Sequence, residues 1–284
     1  MRLKLCILSI LLFSVFGTIY YLSNEKESDI LKVVFLDVGQ GDSIYIEAPN
    51  KLKVLIDAGK DGKVKRSLSK NISFYDHLID MTISTHLDGD HIGGFQDFFN
   101  GYKSDLHILA STSTKENEIT RSLFSLLNEG EVMVRVSLSG DRIVLDDVRE
   151  VYLDVLYPSK ENLGQGSEND NSIVLRLVYG DTSVLLTGDI SGDVEEDLAL
   201  MYKDQLKSDV LKVAHHGSND SSTLNFLEKV NPSYAVISSG KDNRYGHPHK
   251  ETIDRLDLVE ALIFDTKELG NIIFLSNGKE IWRE

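Results

Sequence analysis

Cysteine and proline are scarce in this chain, with one and four residues among 284. The lone Cys6 excludes both a disulfide framework and a cysteine-based zinc site. Positive charge is also short, because 30 Lys+Arg face 45 Asp+Glu and leave a net −15. Such a surplus repels polyanions at long range and excludes a broad DNA-binding face. It leaves open an enzyme that meets phosphate locally, through a metal. No internal repeat or low-complexity tract stands out. Hydrophobic residues at 41% and charged residues at 26% exclude a disordered or fibrous chain. The length allows one large domain or two small ones.

One long apolar run is present, and it lies at the amino terminus. Arg2 and Lys4 precede the uncharged stretch Leu5 to Leu22, and a net acidic stretch, Asn24 to Asp29, follows it. Its 18 residues make roughly 27 Å of helix at about 1.5 Å per residue, near the thickness of a bilayer core. The charge asymmetry directs the amino terminus toward the cytoplasm. No small-x-small cleavage site follows, so residues 1–28 are expected to be an uncleaved membrane anchor, with a cleaved signal as the alternative. Cys6 precedes the run, so lipid attachment is not expected. A buried core helix is the blander reading, disfavoured by the terminal position and the charge pattern. The remainder, 29–284, is expected to be one domain outside the cytoplasm, tethered or secreted.

Beyond the anchor, short β-rich runs follow in quick succession: Leu31–Val38, Ser43–Ala48 and Lys53–Ala58. Spaced apolar residues predict helices over Val64–Leu78, Lys115–Asn128, Asp193–Lys207, Ser222–Val230 and His249–Leu258. Ser172–Tyr179 and Ser183–Leu186 read as a hairpin around Gly180-Asp181. Strands dominate early in each half and then alternate with helices. That pattern predicts two mixed sheets facing each other with helices outside.

Chemistry concentrates in histidine clusters, each in a loop after a predicted strand. HLDGDH supplies His86, Asp88, Asp90 and His91 within six residues. Imidazole and carboxylate without thiolate suit zinc, manganese or iron, and alternating spacing in a loop can serve two metals. A polar surface turn would not need four potential ligands so close together. Asp189 in LLTGD ends an apolar strand, a costly place for a bare carboxylate. It reads as a bridging ligand, with an ordinary strand-end turn as the alternative. His215 and His216 end LKVAHH, and neighbours on an extended chain point to opposite sides. His215 is expected to be the ligand and His216 to contact the ligand shell or substrate. Lys241, Arg244, Tyr245 and His247 crowd one loop that can hold an oxyanion and supply a general acid. His249 reads as a helix-start residue, and His77 and His107 as structural ones.

These motifs, in this order, resemble the metallo-β-lactamase-fold hydrolases, and most closely the extracytoplasmic hydrolase-like domain of ComEC DNA-uptake proteins. The residues are FLDVGQGDS (35–43), LIDAG (55–59), THLDGDHIGG (85–94), NDNSIVLRL (169–177), LLTGD (185–189), LKVAHHGS (211–218) and NRYGHPH (243–249). Asp88 stands where the usual superfamily signature has its second histidine, a substitution shared by the ComEC-like branch. No histidine lies between His107 and His215, where many members supply a third ligand to the first metal. Asn171 occupies that motif and is assigned to substrate binding, with water completing the metal.

The resemblance implies an α+β fold, a four-layer αββα sandwich with two divalent ions, zinc or manganese, at one edge. His86 and Asp88 would hold one ion, Asp90, His91 and His215 the other, and Asp189 would bridge them. A hydroxide between the ions would attack the substrate, with His247 and His216 steadying charge or protonating the leaving group. Many membrane spans surround the domain in ComEC proteins and this chain has one candidate span, so a DNA channel is not expected.

The function expected is an extracytoplasmic metal-dependent phosphodiesterase, with a nuclease as one form of it. DNA is a conceivable substrate that the net charge does not favour, and no protein partner is indicated. The alternatives are a carboxylic-ester, thioester or lactam hydrolase, and a non-catalytic extracellular binding module. The intact His and Asp positions argue against the last.

Overall fold

The computed structural model describes residues 13–14, 16–17, 29–110 and 117–284. The expected anchor or signal segment therefore falls almost wholly outside the described residues. Among those residues, no helix is long and apolar enough to cross a membrane.

Two mixed sheets form the centre. The first contains β1 (Leu31–Phe35), β2 (Ile44–Glu47), β3 (Lys53–Ile56), β4 (Leu78–Ser84), β5 (Lys103–Leu109), β6 (Met133–Val136), β14 (Ile272–Ser276) and β15 (Ile281–Arg283). Its order is β15-β14-β1-β2-β3-β4-β5-β6. Pairing is antiparallel from β15 to β3 and parallel from β3 to β6. The second contains β7 (Arg142–Asp146), β8 (Val151–Tyr157), β9 (Val174–Tyr179), β10 (Thr182–Leu186), β11 (Val210–Lys212), β12 (Tyr234–Ile237) and β13 (Leu262–Asp265), ordered β13-β12-β11-β10-β9-β8-β7. It too is antiparallel from β7 to β10 and parallel from β10 to β13.

Strand alternation explains the layering. In β1, Leu31, Val33 and Phe35 enter the core between the sheets, while Val34 faces outward. Ile44 and Ile46 of β2 and Val54 and Ile56 of β3 do the same, with Tyr45 and Leu55 outward. Because both faces of these strands are apolar, both must be covered. The first sheet's outer face is packed by α1 (Lys63–Leu68), α2 (Gly89–Ile92), α3 (Phe95–Phe99) and α4 (Glu118–Glu129), through Leu68, Ile92, Phe98 and Leu123. The second is covered by α5 (Gly192–Tyr202), α6 (Leu224–Val230) and α7 (Lys250–Leu258), through Leu198, Phe226 and Leu256. Three apolar layers thus separate four layers of secondary structure in the order αββα.

The parallel halves position the site. Asp57 follows the carboxyl end of β3, His86 that of β4, Asp189 that of β10, and Ser238 that of β12. These ends share one edge of the sandwich, which is where open α/β sheets generally hold their ligands.

Candidate metal centre

Three imidazoles converge at this edge, and each has its Nδ1 atom engaged by the protein. His91 Nδ1 lies 2.8 Å from Asp57 Oδ2, whose carboxylate also accepts the Thr85 amide at 2.8 Å and hydroxyl at 2.6 Å. His216 Nδ1 lies 2.9 Å from the Ser238 carbonyl. A carbonyl can only accept, so Nδ1 of His216 carries a proton and Nε2 is the nitrogen left to meet a cation. His86 Nδ1 meets the hydroxyls of Thr85 at 3.0 Å and Ser172 at 3.2 Å.

The three Nε2 atoms and Asp189 Oδ1 are buried and without a hydrogen-bond partner. Asp189 Oδ2 lies 3.2 Å from His91 Nε2 and 3.1 Å from His216 Nε2, close yet outside hydrogen-bond geometry. Asp90 Oδ2 is 3.5 Å from His216 Nε2, and Asp88 Oδ2 is 3.9 Å from His86 Nε2. Orphaned polar atoms of this kind are costly when buried unless something binds them. Ligand atoms of His86, His91 and Asp189 lie within 4.8 Å of one another, and so do those of Asp90, His91 and His216. Engaged Nδ1 and free Nε2 is the arrangement that orients a metal-binding histidine. The residues present fit a divalent cation.

Electrostatics agree. Burial pulls His91 and His216 down, but Asp189 with Asp57, and Asp189 with Asp42, outweigh it and hold both well above the ordinary histidine range. Burial and the charge of His91 push His86 down to about 3. Burial would raise Asp90 and Asp189, yet the neighbouring imidazoles keep both below the usual carboxylate range. The carboxylates demand positive charge here, either as protons on imidazole or as a cation among them.

The histidine pair departs from expectation. His216 is 1% exposed and sits in the cluster, whereas the His215 side chain is 25% exposed, against Asp220 at 3.3 Å and Asn169 at 3.3 Å. The extended-strand premise fails because β11 stops at Lys212. His215 and His216 follow in a 3-10 turn with φ of 49° and 54°. Left-handed backbone costs a non-glycine residue about 1–2 kcal/mol, and here it rotates the second histidine inward instead of the first.

Other expected residues are placed as follows. His247 is buried beside His215 and His216, and burial and His216 lower it to about 4. Arg244 and Tyr245 line a 510 Å³ cavity that also contains Asp88 and Asp90. Lys241 lines a neighbouring cleft instead. Asn171 borders a small cavity next to His86, but its amide is used by Gly164, Gln165 and Ser167. His249 precedes α7 and accepts the Asn219 amide, and His107 lies buried between Thr82 and Ser84.

Asp42, Asp57 and Lys212 had no assigned role. Asp57 follows an apolar strand as Asp189 does, so the same cost argument would have found it. Asp42 Oδ1 lies 3.4 Å from His216 Nδ1, while Oδ2 pairs at 2.9 Å with the fully buried Lys212. Gly41 (φ 120°) lets this loop pass the site, since a Cβ there would fall 2.0 Å from the Asp90 carbonyl oxygen.

Residues 36–241 match the metallo-beta-lactamase superfamily. The chain belongs to that superfamily. It has the fold of metal-dependent hydrolases, and its site residues fall inside or just beyond the matched span. It is 31% identical over 268 residues to ComE operon protein 3 of Bacillus subtilis, covering 88% of this chain and 33% of that protein. It is 28% identical over 242 residues to competence protein ComA of Neisseria gonorrhoeae, covering 84% and 31%. Both relatives are ComEC-type competence proteins. The chain thus spans about a third of the length of the curated relatives it matches. Among solved structures, CmlA, a diiron beta-hydroxylase from Streptomyces venezuelae, superposes with a TM-score of 0.53 at 12% identity, over 89% of this chain and 54% of that one. At that identity the likeness speaks for the fold alone.

Proposed function

We propose that this chain is an extracytoplasmic phosphodiesterase dependent on two divalent ions, zinc or manganese. The observation that carries the reading is the convergence of three unpartnered Nε2 atoms and Asp189 Oδ1 at one sheet edge. His86 and Asp88 would hold one ion, Asp90, His91 and His216 the other, with Asp189 between them. Ions held there supply Lewis acidity and make water a usable nucleophile near neutral pH.

The chain's own residues do the remaining work. Asp57 and the Ser238 carbonyl fix the tautomers of His91 and His216, so their lone pairs face inward. His247, neutral at physiological pH, offers an N–H to charge developing on the substrate. Arg244 and Lys60 border the cavity with Asp88 and Asp90, giving an anionic substrate two cations beside the carboxylates. That pairing favours a phosphodiester over a neutral carboxylic ester. Residues 1–28 would tether the domain on the outer face of a membrane.

The full chain in detergent, loaded with manganese or zinc, is expected to bind two ions and hydrolyse bis-p-nitrophenyl phosphate faster than p-nitrophenyl acetate. Asp90→Ala combined with His91→Ala is expected to abolish turnover. Undiminished turnover in that variant refutes the mechanism, and a preference for the acetate moves the reading to carboxylic esters.

A further inference from the structure

We propose that a cation-lined cleft beside the metal centre binds the phosphodiester backbone of a polymeric substrate away from the scissile bond. The idea builds on the phosphodiesterase reading for the neighbouring cavity, but its own observations are separate. A cleft of 600 Å³ is lined by Lys60, Lys63, Arg66, Lys70, Lys241 and Lys267, against Asp37, Asp61 and Asp242. Six cations to three carboxylates is a reversal in a chain of net charge −15. The side chains of Lys60, Arg66, Lys70 and Lys241 are exposed and make no hydrogen bond or ion pair among the described residues. Unpaired like charges gathered in one concavity repel each other and focus field on an anion.

The cleft is built rather than incidental. The Ser67 hydroxyl donates to the Asp37 carbonyl at 2.6 Å. Asn271 accepts the Asp37 amide at 2.9 Å and donates to the Ser67 carbonyl at 3.0 Å. Those bonds lock α1 to the loop after β1. The opposite wall is joined by the Gly240 amide donating to Gln40 Oε1 at 3.2 Å. Gly39 (φ 79°) leaves room for the Lys63 ammonium, which a Cβ would meet at 2.7 Å.

Position gives the cleft its use. Gln40, Lys60, Asp242 and Asn243 line both this cleft and the cavity holding Asp88 and Asp90. A small diester ends within the cavity and gains nothing from Arg66 or Lys70. A phosphodiester chain with one phosphate at the metal centre continues past Lys60 into the cleft, where further phosphates meet cations.

The test compares the full chain with its Arg66→Glu, Lys70→Glu variant, both of them exposed positions outside the metal site. Fluorescence anisotropy with labelled twelve-residue oligodeoxythymidylate, in chelator, reads binding without catalysis. The variant is expected to raise the Kd at least tenfold and to flatten the log–log salt slope by about 1.4, from two contacts at about 0.7 each. Turnover of bis-p-nitrophenyl phosphate is expected to stay within twofold. Displacement of the label by polyglycerol phosphate assigns recognition to the phosphodiester backbone alone, and failure to displace it assigns the cleft to nucleic acid. Equal affinity and equal salt slope for both proteins overturn the proposal. Failure of the wild type to hydrolyse the small diester refutes the phosphodiesterase reading while the anisotropy result still decides the cleft.

Discussion

Replacing Lys212 by methionine tests whether a buried ion pair beside the candidate metal centre stabilises the fold. Lys212 is fully buried, with Nζ 2.9 Å from Asp42 Oδ2 and 2.7 Å from the Val213 carbonyl. Burial pushes the Asp42 carboxyl up, but Lys212 and then His216 bring it below the usual range, so the carboxylate is ionised at neutral pH. Methionine fills similar volume and leaves Asp42, 2% exposed, without its lysine partner. Removing one partner of a buried pair costs about 3–5 kcal/mol, a large part of the roughly 5–15 kcal/mol that folds a domain. At about 2–4 °C per kcal/mol for a domain this size, Tm should fall by about 6–20 °C. Adding Asp42→Asn removes the stranded charge and should recover much of the loss, because uncharged replacements of buried pairs are often near neutral. Urea unfolding at pH 7 in chelator measures all three proteins. A single variant within about 1 kcal/mol of wild type, or a double variant no more stable than the single, refutes this reasoning.

The histidine pair gives a second prediction: His216→Ala should abolish tight binding of one manganese or zinc ion in a competition assay with a fluorescent chelator, whereas His215→Ala should retain it. The opposite ranking would restore the strand-based order. A third concerns Glu195, fully buried and accepting the Ser222 and Thr223 amides, each at 2.7 Å. Burial, only partly opposed by those amides, raises it from 4.5 to about 8. The native state then binds more protons than the unfolded state between those values, so this stability is fully present below pH about 4.5 and is lost as pH rises toward 8. The urea midpoint should fall across that window in wild type, and the fall should be smaller in Glu195→Gln. A Glu195→Gln profile parallel to wild type would refute the assignment.

Much of the fold was legible because apolar alternation is a local property. The β9–β10 hairpin turns at Gly180-Asp181 as its sequence indicates, and α4 and α7 begin within a few residues of their expected starts. The helix expected over Val64–Leu78 ends at Leu68. Phe74 and Tyr75 are 83% and 87% exposed, so the apolar spacing there has no surface to pack against. In the site, residue types and spacing identified the ligand loops, but not which side chain turns inward. That depends on left-handed backbone at His215 and His216, which no side-chain pattern encodes. Lys212 was invisible for a related reason: within a short strand it reads as an outward-facing residue, and its partner Asp42 is distant in sequence.

The net charge of −15 averages over a segregated molecule. Asp42, Asp57, Asp90 and Asp189 gather around three imidazoles, while six cations line one cleft next door. On the proposed reading, carboxylates at the centre would repel a phosphate until divalent ions reversed the local sign, whereas the cleft would attract one at any time. An anionic substrate would therefore meet the cleft first and the centre only when it is metal-loaded. Over the rest of the surface, the acidic excess discourages other docking sites. On the proposed reading an acidic protein would thus handle polyanions at one place, and the charge deficit sharpens where that place would be.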